Sequence, residues 1–321
     1  MKAIQISEVG GPEVLRLSEI DPPTITATQG LIKVSIAGVN FIDIYHRLGR
    51  YPQSLPFTPG VEGIGIITEL GTAAPEDLKI GMRVGWVMAS GGYAEFAAIP
   101  AASLIPIPED IADEDAIALL LQGMTAHYLT RDSYRINPGD TALVHSGAGG
   151  VGLLLTQYIK SLGGRVIATA STSAKQDLAR SAGADLAIGY ENFAIRVKEF
   201  TDGKGVSVIY DGVGQSTFEQ GLQALGRRGT FAIFGAASGQ VEPIEIMKIS
   251  AGSIFLTRPT LADFVATRKE LLWRANDVFA AFVRNDLKIA IVASYALGQA
   301  SDAHLNLENR TSTGKLILKI R

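Results

Sequence analysis

The chain has 321 residues, 47% of them hydrophobic and 19% charged, with a formal net charge of -3. That length calls for more than one core, and the composition is that of an ordinary globular protein. The acidic balance offers no electrostatic footprint for a phosphate backbone, so nucleic acid is not an expected partner, and the lack of cysteine excludes disulfides, thiolate nucleophiles, thiolate zinc sites and iron–sulfur clusters together.

Near the start, Glu8, Gly10 and Gly11 stand where a secretory segment needs an apolar run. The longest apolar stretches, such as Ala116 to Leu121, fall short of a bilayer span. The expected location is the cytoplasm, with no membrane partner. Short strands follow one another up to Leu121: Lys2 to Ile6, Val14 to Leu17, Leu31 to Val39, Gly63 to Leu70, Arg83 to Val87 and Tyr93 to Ile99. Pro22-Pro23, Pro59-Gly60 and Gly91-Gly92 punctuate them, which suggests a twisted, partly closed β structure. Between the third and fourth strands, Asn40-Phe41-Ile42-Asp43-Ile44-Tyr45, Arg47, Gly49, Tyr51 and Pro52 gather polar and aromatic groups. Composition alone reads this as a loop with an aromatic tucked against the core. Asp113, Glu114 and Asp115 ahead of an apolar run mark a helix over Asp110 to Gln122, the expected bridge between domains.

From Thr141 the pattern becomes a regular alternation of strand and helix. A strand over Ala142 to Ser146 runs into Gly147-Ala148-Gly149-Gly150-Val151-Gly152, and a helical apolar pattern through Leu153, Leu154, Leu155, Tyr158 and Ile159 follows. Glycine permits the φ values of so tight a turn and lets a ligand approach the main chain. The helix start then offers free N–H groups and the positive end of its dipole to a pyrophosphate. The spacing Gly147-x-Gly149-x-x-Gly152 is a dinucleotide-binding fingerprint, though glycine turns also join elements where no ligand binds. Context favours the ligand. Strands at Arg165 to Thr169, Asp185 to Gly189, Val206 to Tyr210, Gly229 to Phe234 and Ser253 to Leu256 alternate with helices at Ser173 to Ala182, Phe193 to Phe200 and Thr217 to Leu225. Six strands separated by helices make an α/β fold, a Rossmann-type doubly wound parallel sheet with its ligand outside the strand carboxyl ends.

An NAD-preferring site carries a carboxylate at the end of the second strand. Here that place reads Ala168-Thr169-Ala170-Ser171-Thr172-Ser173-Ala174-Lys175, with no acid before Asp177. Hydroxyls can donate to a 2′-phosphate and an ammonium can neutralise it. NADPH is therefore the expected cofactor, with Lys175 as the charged contact and Ser171 and Ser173 as donors. Either serine also serves as a helix cap, and the two roles are compatible.

Together these segments resemble the medium-chain dehydrogenase/reductase superfamily, and within it the zinc-free quinone oxidoreductases related to ζ-crystallin. Asn40-Phe41-Ile42-Asp43 with Tyr45 and Tyr51-Pro52 resembles that family's active-site segment, and Leu121-Gln122-Gly123-Met124-Thr125-Ala126 its hinge helix. Gly147 to Gly152 matches the glycine turn, Tyr210-Asp211-Gly212-Val213-Gly214 the end of the fourth strand, and Phe234-Gly235 and Leu256 to Leu261 complete the set. The resemblance implies a GroES-like, β-rich catalytic domain at 1–122, a Rossmann domain at 123–258, and a return to the catalytic domain over 259–321. It puts Asn40, Tyr45 and Tyr51 in the catalytic site and Asn40, Thr125, Gly149, Gly150, Val151, Tyr190, Phe234, Gly235 and Arg258 around the cofactor, beside the Ser171, Ser173 and Lys175 already named.

Zinc-dependent relatives need a cysteine where this chain has Asn40 and a histidine where it has Val61, so no metal is expected. His46, His127, His145 and His304 lack the spacing that puts two ligands on one helical face. The implied reaction is hydride transfer from NADPH to a quinone or enone, with Tyr45, Tyr51 or a water molecule donating to the acceptor oxygen. A homodimer formed through the edge strand near Ser253 to Thr257 is also implied. The alternatives are an enoyl or alkenal double-bond reductase, and a non-catalytic NADPH-binding protein with an RNA-binding or structural role. Gly212 departs from the serine common there.

Overall fold

The computed structural model describes residues 1–320, and the chain divides into two compact units. One holds residues 1–121, 265–279 and the stretch from Ile289 onward; the other holds 122–264 and 280–288.

The first unit opens with β1 (Lys2–Gln5), β2 (Arg16–Glu19), β3 (Gln29–Val39), α1 (Phe41–Arg47), β4 (Glu62–Leu70), β5 (Arg83–Val87), β6 (Phe96–Pro100), β7 (Ile105–Pro106) and α2 (Asp113–Ala118). β1 and β2 form an antiparallel ribbon. Three acidic residues in the first turn of α2 suit its dipole, and a wide π-type turn over Leu119–Gly123 follows it.

The second unit alternates α3 (Met124–Tyr128), β8 (Thr141–Val144), α4 (Gly150–Ser161), β9 (Arg165–Thr169), α5 (Ser173–Ser181), β10 (Leu186–Ile188), α6 (Phe193–Phe200), β11 (Val206–Asp211), α7 (Phe218–Ala224), β12 (Leu225–Ile233), β13 (Phe255–Thr257) and α8 (Leu261–Phe264). Its sheet is parallel throughout, in the order β10-β9-β8-β11-β12-β13. Helices on both faces require strands that are apolar on both sides. That is why Ala142, Leu143 and Val144 are all fully buried. Leu143, Ile167, Ile209 and Phe231 anchor one face, where Phe218 stacks on Phe231 at 5.3 Å. Each such side chain contributes about 1.5–3 kcal/mol on burial.

The chain then continues through α9 (Arg268–Val283), β14 (Ile291–Ala296), α10 (Ala300–Glu308) and β15 (Lys315–Lys319). The first unit's larger sheet runs β14-β15-β3-β4-β5-β7, with β6 also paired to β3. β15 is antiparallel to β3, with Leu318 opposite Ala37. Trp86 is fully buried over Gly63, where a Cβ would run into the indole. Among the described residues no helix is long and apolar enough to cross a membrane.

The architecture is the expected one, a Rossmann-type parallel sheet and a β-rich unit, and several boundaries move. The segment expected as a loop after β3 is the helix α1. β2 starts at Arg16 because Pro12–Val14 forms a short 3-10 turn first. Strand pairing begins at Phe96 rather than Tyr93, whose carbonyl instead accepts the N–H of Ile4 at 2.9 Å. β12 begins at Leu225, ahead of the expected Gly229, through an irregularity opposite Val206 and Val208. β13 begins at Phe255, because Ser253 sits at φ 54, outside strand geometry. The stretch from 259 does not all group with the first unit. Phe264 stacks on Tyr128 at 4.4 Å, and Lys288 exchanges two main-chain bonds with the Gln157 side chain, at 2.6 and 2.9 Å. These contacts keep 259–264 and 280–288 with the second unit.

Candidate functional site

In the second unit the sheet changes direction at β8, which has β9 on one side and β11 on the other. The carboxyl end of such a strand is where α/β sheets take ligands. The turn there is pinned on both sides: His145 donates its N–H to Tyr210 O at 3.0 Å and Gly147 to Thr169 O at 2.9 Å. A Cβ at Gly147 would meet Ala168 Cβ at 2.7 Å, and one at Gly152 would run into the Ser146 carbonyl and the Gly147 main chain. These two glycines let helix and strand touch. Gly149 differs, since its added Cβ would meet only Ser146 atoms, at 3.1 and 3.2 Å. It caps α4 without any side-chain hydrogen bond, so the first N–H groups of that helix keep their donors for an outside acceptor. The cradle fits a pyrophosphate.

Around it stand the expected cofactor residues. Ser171 and Ser173 are exposed at the end of β9. The cap of α5 is neither of them: Thr172, extended at φ -132, accepts the N–H of Lys175 at 3.3 Å. Both serine hydroxyls are thus spared for another acceptor. Partial burial lowers the Lys175 ammonium pKa. Tyr190, two residues beyond β10, accepts the Ser146 N–H at 3.1 Å and lies nearly parallel to the His145 ring at 6.2 Å. So Gly149, Gly150, Val151, Ser171, Ser173, Lys175 and Tyr190 gather at the ends of three adjacent strands, β10, β9 and β8. Gln122 packs across Gly150, and Thr125 is 7% exposed on α3.

Phe234 and Gly235 follow β12, where Phe234 donates its N–H to Asp211 O at 2.8 Å. The Phe234 ring lies 3.1 Å from where a Cβ of Gly212 would stand. A serine at 212 would press on that ring, which gives the departure from serine a physical reason. Arg258 is exposed beyond β13, at the sheet edge three strands from β8, and donates to Pro259 O at 3.3 Å. It is not brought to the glycine turn.

In the first unit, Asn40 directly follows β3 and stands at the cap position of α1. Tyr45 is 7% exposed, with the Tyr51 ring edge-on at 5.5 Å and the Arg50 guanidinium at 5.7 Å. Asn40, Tyr45 and Tyr51 therefore share one helix start and the loop after it. Behind them runs a buried polar chain. Asp43 accepts the N–H groups of Asn40 at 2.9 Å and Val61 at 3.1 Å, and burial pushes its carboxyl up to about 7 against the pull of those donors. Arg47 donates to His304 Nδ1 at 3.3 Å. Guanidinium only donates, so His304 carries its proton on Nε2, which reaches Tyr93 Oη at 3.1 Å, and Tyr93 in turn donates to Asp43 Oδ2 at 3.4 Å. Burial and the Arg47 charge hold His304 at about 3.

Among the described residues no group of three or more His, Asp or Glu is placed to hold a metal ion.

Residues 26–109 match the family model described as alcohol dehydrogenase GroES-like domain and residues 150–279 the one described as zinc-binding dehydrogenase. A quinone oxidoreductase from Pseudomonas aeruginosa is 38% identical over 99% of both chains. The chain belongs to the quinone oxidoreductase family of the medium-chain dehydrogenase/reductase superfamily. Two solved structures align along its length. A mycobacterial one, complexed with NADPH, has a TM-score of 0.96 at 43% identity, covering 99% of this chain and 100% of that one. Escherichia coli quinone oxidoreductase complexed with NADPH has a TM-score of 0.96 at 37% identity, again covering 99% and 100%.

For this quinone oxidoreductase family member, the sequence reading left three site-forming residues out. Asp43, Glu62 and Lys315 are buried around Asn40. Lys315 bonds Asn40 at 3.1 Å across 275 residues of sequence, a distance at which no motif signals contact. The only available sign was the type: a carboxylate or lysine in an otherwise apolar strand is buried with a partner.

Proposed function

We propose that this chain is a zinc-independent NADPH:quinone oxidoreductase. The carrying observation is the glycine turn at the carboxyl end of β8, flanked by two exposed serines and Lys175, with no acid between β9 and Asp177. Bound NADPH supplies a hydride, and the acceptor, a quinone or related electron-poor carbonyl compound, takes up a proton as well.

The chain's own residues bind and orient. Gly149, whose own N–H donates to Ser146 O at 2.9 Å, lines the pyrophosphate while the N–H groups of Gly150 and Val151 hold it, and Ser171, Ser173 and Lys175 hold the 2′-phosphate. Tyr190 flanks the adenosine, Thr125 and Asn40 the nicotinamide, and Phe234, Gly235 and Arg258 the remainder. Tyr45 or Tyr51 donates to the acceptor oxygen, where charge develops. Zinc independence is supported by Lys315, whose ammonium bonds both Asn40 and Glu62, so a cation already answers that carboxylate.

NADPH oxidation with 9,10-phenanthrenequinone, 1,4-benzoquinone and a simple enone, beside a binding titration, tests the reading. Quinones are expected to turn over fastest; tight NADPH binding with no turnover would favour the non-catalytic role. Lys175→Ala is expected to weaken NADPH by about 10-fold or more, the worth of one charge-assisted contact, and to leave NADH nearly unchanged. Equal losses would remove Lys175 from the phosphate.

The homodimer belongs to the same proposal. β13 closes one edge of the sheet, and Phe255 on it is 60% exposed. An apolar open edge invites pairing with a second copy across a two-fold axis. Sedimentation is expected to give twice the chain mass, and Phe255→Lys to reduce it to one.

A further inference from the structure

Asn40 stands where an asparagine ordinarily folds its side chain over the free N–H groups of a helix start. Only half of that arrangement is present. Asp43 accepts the Asn40 N–H, while the Asn40 carbonyl, not its side chain, accepts the Asp43 N–H at 3.1 Å. The carboxamide turns the other way: Oδ1 accepts from Lys315 Nζ at 3.1 Å and Nδ2 donates to Glu62 Oε2 at 2.9 Å. Lys315 also pairs directly with Glu62 Oε2, and Glu62 Oε1 accepts the N–H of Leu121 at 2.7 Å. Lys315 is 1% exposed and Glu62 is 0% exposed. Gly38 on β3 leaves the room they need, because a Cβ there would collide with both charged groups.

Such a pair is not explained by stability. Taking two charges out of water costs several kcal/mol per ion, and apolar residues of equal volume often do as well or better. Its effect on Asn40 is specific. An ammonium only donates and a carboxylate only accepts, so Lys315 and Glu62 permit one orientation of the amide. In that orientation the second N–H on Nδ2 makes no hydrogen bond among the described residues, and its direction is set.

We propose that Lys315 and Glu62 are positioning residues that clamp the Asn40 carboxamide, so that its remaining N–H is offered to a carbonyl oxygen, that of the quinone or that of the nicotinamide carboxamide. The clamp rests on the reading of Asn40 as part of the reacting site, and two measurements separate its failure from that reading's.

Removing one charge alone strands the other, so the variant is the pair Glu62→Gln with Lys315→Met, which leaves no buried ion and keeps an acceptor for Leu121. The first measurement needs neither cofactor nor substrate. In chains labelled with 15N-asparagine, the Asn40 side-chain protons are expected to exchange at least about 10-fold faster in the double variant, as a released hydrogen-bonded group does. Equal rates overturn the clamp whatever the enzyme does.

The second is turnover of 9,10-phenanthrenequinone. The double variant is expected to lose about 10- to 100-fold, the scale of a misplaced group. The same pair of changes made in Asn40→Ala is expected to lose less than about 3-fold more, since groups acting as a unit are not additive. Full loss in both backgrounds means that the pair acts without Asn40, and overturns the proposal. A fall in kcat at constant NADPH affinity assigns the carbonyl to the quinone, and a fall in NADPH affinity assigns it to the cofactor.

Discussion

Gly152→Ala is expected to abolish measurable NADPH binding, with an affinity loss of about 100-fold or more. The added Cβ would enter the Ser146 carbonyl and come within 2.9 Å of Gly147 Cα. Both are main chain, so no rotamer change relieves the clash and α4 must lift from β8. Overpacking of this kind costs about 1–3 kcal/mol of stability, and the larger effect falls on the ligand, because the same N–H groups that would move are those meant for the pyrophosphate. Gly149→Ala provides the contrast. Its Cβ meets only Ser146 atoms, at 3.1 and 3.2 Å, so the melting temperature is expected to stay near that of the parent while NADPH binding still weakens. Thermal melts and fluorescence titrations of both variants decide the matter; normal NADPH affinity in Gly152→Ala would dissociate the turn from the cofactor.

The largest stability effect is expected at Arg47, whose side chain is 0% exposed. It closes a ring of contacts: Nη2 with Glu308 Oε1 at 2.7 Å, Nη1 with His304 at 3.3 Å and Nε with Gly10 O at 3.1 Å. Arg47→Met keeps much of the stem's volume and strands all three partners. Breaking a buried pair costs about 3–5 kcal/mol, and the 27% exposure of the Glu308 side chain screens it toward the lower figure. A urea denaturation midpoint at pH 7 gives the number, and a loss under about 1 kcal/mol would contradict the assignment. Pairing the change with Glu308→Gln is expected to recover part of it. The sign of the pH dependence follows from the same ring. His304 sits at about 3 when folded and near 6.5 otherwise, so the contribution of its neutral form is complete above pH 6.5 and is lost as pH falls toward 3. Asp43, raised from 3.8 to about 7, works oppositely: its contribution is complete below pH 3.8 and is lost as pH rises through 7.

The second unit was legible because its strands are short apolar runs buried on both faces and its helices alternate with them. Arg165–Thr169 and Phe193–Phe200 fall on their expected residues. α1 was not. In Phe41–Arg47 the residues from Asp43 to Arg47 are all buried, so two turns of helix show no apolar stripe against a polar face. The α5 cap was misread for a local reason, since three hydroxyl residues in a row differ in backbone angle, not in type. The surroundings of Asn40 could not be read, because Glu62 and Lys315 reach it from different strands of a sheet whose order is set by tertiary packing. What composition did convey was the cofactor side, where the absence of an acid after β9 is a property of neighbouring residues.

β15 lies inside its sheet, flanked by β14 and β3, yet it follows every other strand of that sheet in sequence. The nucleotide-binding sheet has all its strands once residue 257 has emerged from the ribosome, so it can condense early. Its companion sheet waits with residues 36–39 of β3 lacking their β15 partner until residue 319 is out. During that interval the nascent chain carries a naked apolar ladder, the kind of surface that chaperones shield and that aggregates in their absence. A chain cut short after residue 310 would therefore spare one half of the molecule and prevent the other from ever closing.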